Sequence, residues 1–294
     1  MTDAAAGSKL QAALWVLAAA LAFSVVYASG KLAGGAVPAL VIVWVRYLSG
    51  FVTVSAVSLV RHGSLRPGLA SHKFAFHALR ALCGIGGLGC AVYASTAMPL
   101  ADAAALKLLQ GVFVMVLAVL LLRERVSAGQ ALAAGLCLGG AFVIVTGTAG
   151  EIGAASLLAS GAAPLVALLA AFLVACETIL IKFLARTETA LSMLFLVNGF
   201  AALLMTLALP WIWVPLSPLQ LAPLFLLGPL AIAGQMCNIR GFRLADAAWL
   251  APFGYSSVVF AALLGWMFFD HLPGLATLAG TALIVGGGLL LIRR

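Results

Sequence analysis

Ten stretches of apolar sequence follow one another along this chain with only short breaks between them, at residues 10–30, 38–60, 74–96, 100–122, 128–147, 163–184, 190–209, 224–244, 248–269 and 274–292. Each is close to the roughly 20 residues that an α-helix needs to cross a hydrocarbon layer of about 30 Å. Helices satisfy their own backbone hydrogen bonds, which lipid cannot do for them, so the spans are expected as helices. The breaks hold Gly34-Gly35, Arg66-Pro67-Gly68, the segment from Pro210 to Pro218, and Pro273-Gly274, which end helices.

Composition excludes the alternatives. Of 294 residues, 65% are hydrophobic and 8% charged, too few charges to cover a water-facing surface, where roughly a quarter of residues are charged. Ten spans use nearly the whole length and leave nothing for a soluble domain. A net charge of +8 suggests nucleic acid in a soluble protein, but in a membrane protein it belongs to the basic loops of the cytoplasmic side, so no nucleic-acid partner is expected. The five cysteines (Cys83, Cys90, Cys137, Cys176, Cys237) lie in apolar runs without C-x-x-C or Cys/His spacing, which points to neither disulfides nor a metal site. The first apolar run is too long for a signal peptide and reads as a retained helix.

The basic residues set an orientation. One set of helix ends collects Lys9, Arg61, Arg66, Lys73, Arg123, Arg125, Lys182, Arg186, Arg240, Arg243, Arg293 and Arg294, and the opposite set has Lys31. This asymmetry places both termini in the cytoplasm, which requires an even number of spans.

The chain also repeats itself. Leu100-Ala101-Asp102-Ala103-Ala104, opening the fourth span, recurs as Leu244-Ala245-Asp246-Ala247-Ala248, opening the ninth. Lys31 after the first span is matched by Lys182 in the sixth, and Gly50-Phe51 in the second by Gly199-Phe200 in the seventh. Two five-span repeats follow, at residues 1–148 and 163–294, with an external linker at 149–162. An odd number of spans inserts the second repeat upside down, a transporter arrangement whose substrate site lies near the midplane between the halves.

Several segments carry a family resemblance: Val43-Trp44-Val45-Arg46-Tyr47, Leu120-Leu121-Leu122-Arg123-Glu124-Arg125-Val126, and Val259-Phe260-Ala261-Ala262-Leu263-Leu264-Gly265-Trp266 followed by Asp270-His271. Their order and spacing over the whole chain resemble the drug/metabolite transporter superfamily, specifically its EamA-type ten-helix members. The second acidic signature is Asp270-His271 rather than a glutamate, and the proline that usually precedes the signature is missing from both repeats. The subgroup that the chain most resembles is the bacterial exporters of aromatic and other amino acids. The resemblance implies a multi-pass protein of the bacterial inner (plasma) membrane and a central cavity lined by the first, third, fourth, sixth, eighth and ninth helices. It also implies a small-molecule substrate and no bound cofactor, and it leaves a homo-oligomer open.

Charged groups deep in a membrane are expensive and mark function by default. Arg46, Arg80, Lys107 and Glu177 qualify, although Arg46 and Lys107 lie near the outer face and can snorkel. Arg80 and Glu177 fall in the inner halves of their spans, either as a structural ion pair or with Glu177 meeting a substrate ammonium. His77 shares a helix face with Arg80, as an interior histidine or a proton-sensitive one. Gln235 and Asn238 share a face of the eighth span, where hydrogen bonds between helices are the commoner role. Trp249, Phe253 and Ser256 recur at helical spacing in the ninth, and Pro252 frees a backbone carbonyl there. With Tyr27 and Tyr93, this aromatic set is either packing or a wall for a substrate side chain. Gly84-Ile85-Gly86-Gly87-Leu88-Gly89 satisfies G-x-G-x-x-G but lies mid-span, so it reads as close helix packing, as do Gly135, Gly139 and Gly286-Gly287-Gly288.

The leading expectation is therefore a secondary transporter that exports amino acids, aromatic ones included, by alternating access. Efflux of lipophilic cations or another metabolite class is the alternative. An intramembrane enzyme is disfavoured because H-E-x-x-H and G-x-S-x-G are lacking and the four histidines are scattered. A channel or scaffold fits the inverted repeat less well. No Walker A motif offers ATP as a driving force.

Overall fold

The computed structural model describes residues 2–32, 37–97, 106–149, 162–216, 218–269 and 274–292. These form ten helices: α1 (Thr2–Leu32), α2 (Ala39–His62), α3 (Phe74–Ala97), α4 (Leu109–Leu122), α5 (Ala128–Ala149), α6 (Ala163–Ala185), α7 (Ala190–Ile212), α8 (Leu227–Leu244), α9 (residues 247–269) and α10 (Leu275–Ile292). Single-turn and two-turn helices at Arg66–Leu69 and Pro218–Phe225 sit in two of the connections. Six of the ten contain stretches long and apolar enough to cross a membrane, and α4, α5 and α10 add shorter apolar segments. Their outward faces carry exposed Val60, Leu120, Leu165, Trp211 and Leu275, the surface that lipid covers. The chain is an all-α, multi-pass membrane protein.

Helix ends follow local chemistry. α2 stops at Gly63, whose φ of 64° any side chain would disfavour, and its N–H returns to the Leu59 carbonyl. Ser127 and Gln130 form a reciprocal capping box at the start of α5, the Ser127 N–H donating to Gln130 Oε1 and the Gln130 N–H to Ser127 Oγ. Thr189 Oγ1 accepts from the Ser192 N–H to start α7. α9 is interrupted: Ala247–Leu250 is one α-turn, Ala251–Tyr255 a 3-10 turn containing Pro252, and Ser256–Phe269 the main rod. Hydroxyls bond the carbonyls around the interruption. Ser256 Oγ donates to Phe253 O, Ser257 Oγ to Gly254 O, and Ser24 of α1 lies within 3.2 Å of Ser257 O.

Helix pairs recur on adding five to each number. α3 packs on α6 and α8 on α1; α4 packs on α6 and α9 on α1; α3 packs on α7 and α8 on α2. The pairs α2–α7 and α5–α10 map onto themselves. The most extensive pairings are kept by this shift, as in two similar halves related by a two-fold. Five helices per half put the axis in the membrane plane.

Small residues set these contacts. A Cβ on Gly140 would meet the Gly280 carbonyl at 2.5 Å, and one on Gly287 the Cys137 sulfur at 2.6 Å, so α5 and α10 touch almost backbone to backbone. Gly135 and Gly139, expected from the sequence to do this, have no neighbour among the described residues within 4 Å of such a Cβ. They lie on other faces of α5, since each residue turns the helix by about 100°.

Candidate functional site

Polar residues gather where α3 meets α6. The approach is close because a Cβ on Gly87 would fall 2.8 Å from Val174 Cγ2 and one on Gly86 3.3 Å from Leu173 Cδ1. The G-x-G-x-x-G run thus lies inside a helix, against a helix. One turn below it Arg80 is wholly buried, its Nε 3.7 Å from Glu177 Oε1, while a terminal nitrogen donates to the Met193 carbonyl at 3.4 Å. His77, a turn further, is also wholly buried and its Nε2 is 3.9 Å from the Glu188 carboxylate. Tyr47 of α2 completes the group. A Cβ on Gly84 would lie 2.9 Å from its hydroxyl and 3.2 Å from Glu177 Oε2, so the phenol and the carboxylate share one small space. The Arg46 guanidinium stacks over the Tyr47 ring at 4.5 Å.

Burying charge here is costly unless every group is met. Among the described residues, Arg80 Nε and Nη2 and both ring nitrogens of His77 have no hydrogen-bond partner, whereas such groups are satisfied in most interiors. The Glu177 side chain alone in this pair keeps access to its surroundings, at 19% exposure against 0% for Arg80. The arrangement is an ion pair with spare donors on one member and an approachable carboxylate on the other.

Gly84→Ala is expected to disturb this space. Its methyl meets Tyr47 and Glu177 inside ordinary contact distance, and overpacking of this kind costs about 1–3 kcal/mol. Gly89→Ala, with no neighbour within 4 Å among the described residues, is the control. Thermal midpoints of the two purified variants should separate, Gly84→Ala falling and Gly89→Ala matching or exceeding the wild type; equal midpoints would contradict the geometry.

The other residues singled out from the sequence lie elsewhere. Tyr93 is on α3 about 20 Å along the axis from Arg80, with 52% of its surface exposed. Lys107 is exposed at the start of the described part of the fourth span. Gln235 is buried on α8, its Oε1 without a partner among the described residues, and the neighbouring Gly234 packs on Phe23 of α1. Trp249 and Phe253 stack on each other with ring centroids 5.1 Å apart, both buried in a core that draws on α1, α4, α6 and α8. They form a plug between the helices in this conformation. The side chains of Tyr27 and Lys31, and residues 98–105 and 270–273, lie outside what is described.

Beside the plug, the basic ends of α4, α6, α8 and α9 are clasped together. α4 ends on Arg123 with φ 57°, and this left-handed turn sends the chain back so that the Glu124 N–H bonds to the Ala118 carbonyl. The nearly buried Glu124 carboxylate then caps α9, accepting from the Ala247 N–H at 3.1 Å and the Ala248 N–H at 2.9 Å. Asp246, at the cap position itself, makes no side-chain cap bond. α6 and α8 cap each other crosswise. Lys182 Nζ donates to the Phe242 carbonyl at 2.8 Å and to Ala245, with Asp246 at 3.8 Å. Arg243 donates to the carbonyls of Ala185 and Glu188, at 3.1 and 2.6 Å. Each cation thereby meets the negative end of the other helix. Here the five-helix shift breaks: among the described residues, α1 and α3, the counterparts of α6 and α8, make no comparable contact.

Tyr47, Glu124 and Arg243 were not picked out as site residues by the sequence. Tyr47 stood next to Arg46 in a resemblance motif, Glu124 stood within another, and Arg243 counted only toward the charge asymmetry. A clearer signal was the helix opening at Ala247, whose orphan N–H groups need an acceptor from somewhere.

Comparison with known proteins agrees with this architecture. A crystal structure of a protein 21% identical in sequence superposes with a TM-score of 0.79, covering 96% of this chain and 97% of the other. A riboflavin transporter of Vibrio cholerae is 27% identical over 94% of this chain and 91% of its own length. The pseudopaline exporter of Pseudomonas aeruginosa is 28% identical over 92% of each, and an S-adenosylmethionine uptake transporter of Rickettsia prowazekii is 29% identical over 38% of this chain and 37% of its own. The profile of the EamA-like transporter family matches twice, at residues 10–146 and 161–293, once in each half. With both halves matched, the chain belongs to the EamA-like transporter family.

Proposed function

We propose that this protein exports small zwitterionic metabolites, amino acids among them, across the bacterial inner membrane by alternating access. The observation that carries the reading is the Arg80–Glu177 pair, buried between α3 and α6 yet with Glu177 approachable and Arg80 donors unspent. An amino acid offers an ammonium for Glu177 and a carboxylate for Arg80, so it exchanges one ion pair for two. The pair lies about five residues, or roughly 7 Å of helix, beyond the clasp at Lys182. With the basic ends clasped and α1 and α3 apart, the arrangement suits a state open toward the other side. The basic ends belong to the cytoplasm by charge, so the site at Glu177 then faces outward, the state from which an exporter releases its substrate. Tyr93 and Lys107 lie toward the outer mouth of such a path, Gln235 on its flank, and Trp249 and Phe253 at its floor.

A second reading has its own support. Riboflavin transporters of Vibrio cholerae and Brucella anthropi align along more than nine-tenths of this chain, which favours a larger aromatic metabolite handled by the same helices. Initial uptake of labelled phenylalanine, threonine and riboflavin into proteoliposomes separates the two. Flux of both amino acids above protein-free vesicles supports the first reading, whereas flux of riboflavin alone replaces it with the second.

The orientation is testable apart from substrate. Cysteines placed at Arg66, after α2, and at Pro215, after α7, are expected to label from the cytoplasmic and the external side respectively. Labelling of both from one side of sealed cells would contradict the assignment.

A further inference from the structure

A shallow, open cavity of about 330 Å³ lies at the basic end of the bundle between α1 and α8, away from the α3–α6 pair, and is lined by Gln11, Trp15, Arg240, Arg243 and Leu244. Gln11 and Trp15 are one turn apart on α1; Arg240, Arg243 and Leu244 occupy one face of α8. Its walls thus hold two guanidinium groups, an amide and an indole, with no acidic side chain among them. Arg240 lies over the Trp15 ring at 4.7 Å. Stacking uses the flat face of a guanidinium and leaves its N–H edge for in-plane bonds, which match two oxygens of a phosphate. Trp15 and the exposed Leu244 suit the level where headgroups meet acyl chains.

We infer that this cavity binds the phosphodiester headgroup of an anionic phospholipid. Basic pockets between spanning helices at the cytoplasmic face suit such lipids by charge. A water-soluble substrate bound at Glu177 has no need of this place, which lies between a different pair of helices. The site also bears on the conformational cycle, because Arg243 is the residue that grips the end of α6. A headgroup on α8 holds that arginine beside the carbonyls of Ala185 and Glu188 and favours the clasped state.

The test uses the full-length protein in detergent, titrated with phosphatidylglycerol or phosphatidylcholine and followed by native mass spectrometry and thermal midpoint. The wild type is expected to retain phosphatidylglycerol preferentially and to gain stability from it. Arg240→Gln should weaken phosphatidylglycerol binding about fivefold, the effect of one basic charge at a membrane surface, and Arg240→Lys should restore part of it. Gln11→Glu, which sets a carboxylate in the cavity and leaves the stacked pair intact, should weaken binding at least as much. Equal retention of the two lipids by the wild type, or unchanged phosphatidylglycerol binding in both Arg240→Gln and Gln11→Glu, overturns the inference. Glycerol phosphate or inorganic phosphate at matched ionic strength should not displace the lipid; displacement at comparable concentration would make this a soluble-phosphate site instead.

Discussion

Glu124→Gln is expected to lower the thermal midpoint and to shift the transporter toward a state open at its basic end. The carboxylate accepts two backbone N–H bonds at the start of α9, and it lies at the positive end of a helix dipole. A glutamine keeps one acceptor but turns an NH₂ group toward one of those donors, and the charge is gone. Hydrogen bonds to a charged group contribute about 1.5–3 kcal/mol. If the clasped state alone makes them, the balance between states moves by about tenfold or more, since 1.4 kcal/mol is a factor of ten. Distances between spectroscopic labels at Arg125 and Leu244 would report the change as a longer population absent from the wild type. Glu124→Asp, one methylene shorter, should fall between. An unchanged distance distribution with an unchanged midpoint would mean that the clasp holds nothing.

The fold was legible because it is written in long-range composition. Ten apolar runs and the repeated L-A-D-A-A opening each report a property of a whole span, so small local errors do not disturb them. The interruption in α9 was also readable from Pro252, which removes a backbone donor wherever it stands. Which glycines make the helix contacts was not readable. Gly140 and Gly139 are adjacent in a low-complexity run, and only the rotational setting of α5 against α10 decides that one is buried in the contact and the other faces away.

The grouping of the candidate residues was legible in part for a related reason. Arg80, Glu177 and His77 stand out in any apolar span because charge is rare there, and the structure brings Arg80 to Glu177 through the packing of α3 on α6. The reach of Glu124 across to α9 was hidden, because it depends on the left-handed turn at Arg123 and on which helix lies beside α4. Trp249 and Phe253 illustrate the limit of spacing arguments. Their one-turn separation predicts a shared face, and they do stack, but whether that face meets substrate or other helices is a matter of tertiary packing. In the clasped state it meets other helices.

The role of Glu177 is measured most directly by initial-rate uptake of phenylalanine and threonine into proteoliposomes holding wild-type protein or Glu177→Gln at matched insertion. Every amino acid carries the ammonium that Glu177 is proposed to meet, so both rates should fall together, by about tenfold or more for loss of one buried charge-assisted contact. Removing the carboxylate also leaves Arg80 buried without its partner, at a cost of about 3–5 kcal/mol, and this must be separated from loss of binding. The double variant Glu177→Gln with Arg80→Leu removes the stranded charge; it should regain thermal stability while remaining inactive toward both substrates. Wild-type rates for both amino acids in Glu177→Gln would contradict the account, leaving the pair between α3 and α6 a structural feature and placing the substrate elsewhere.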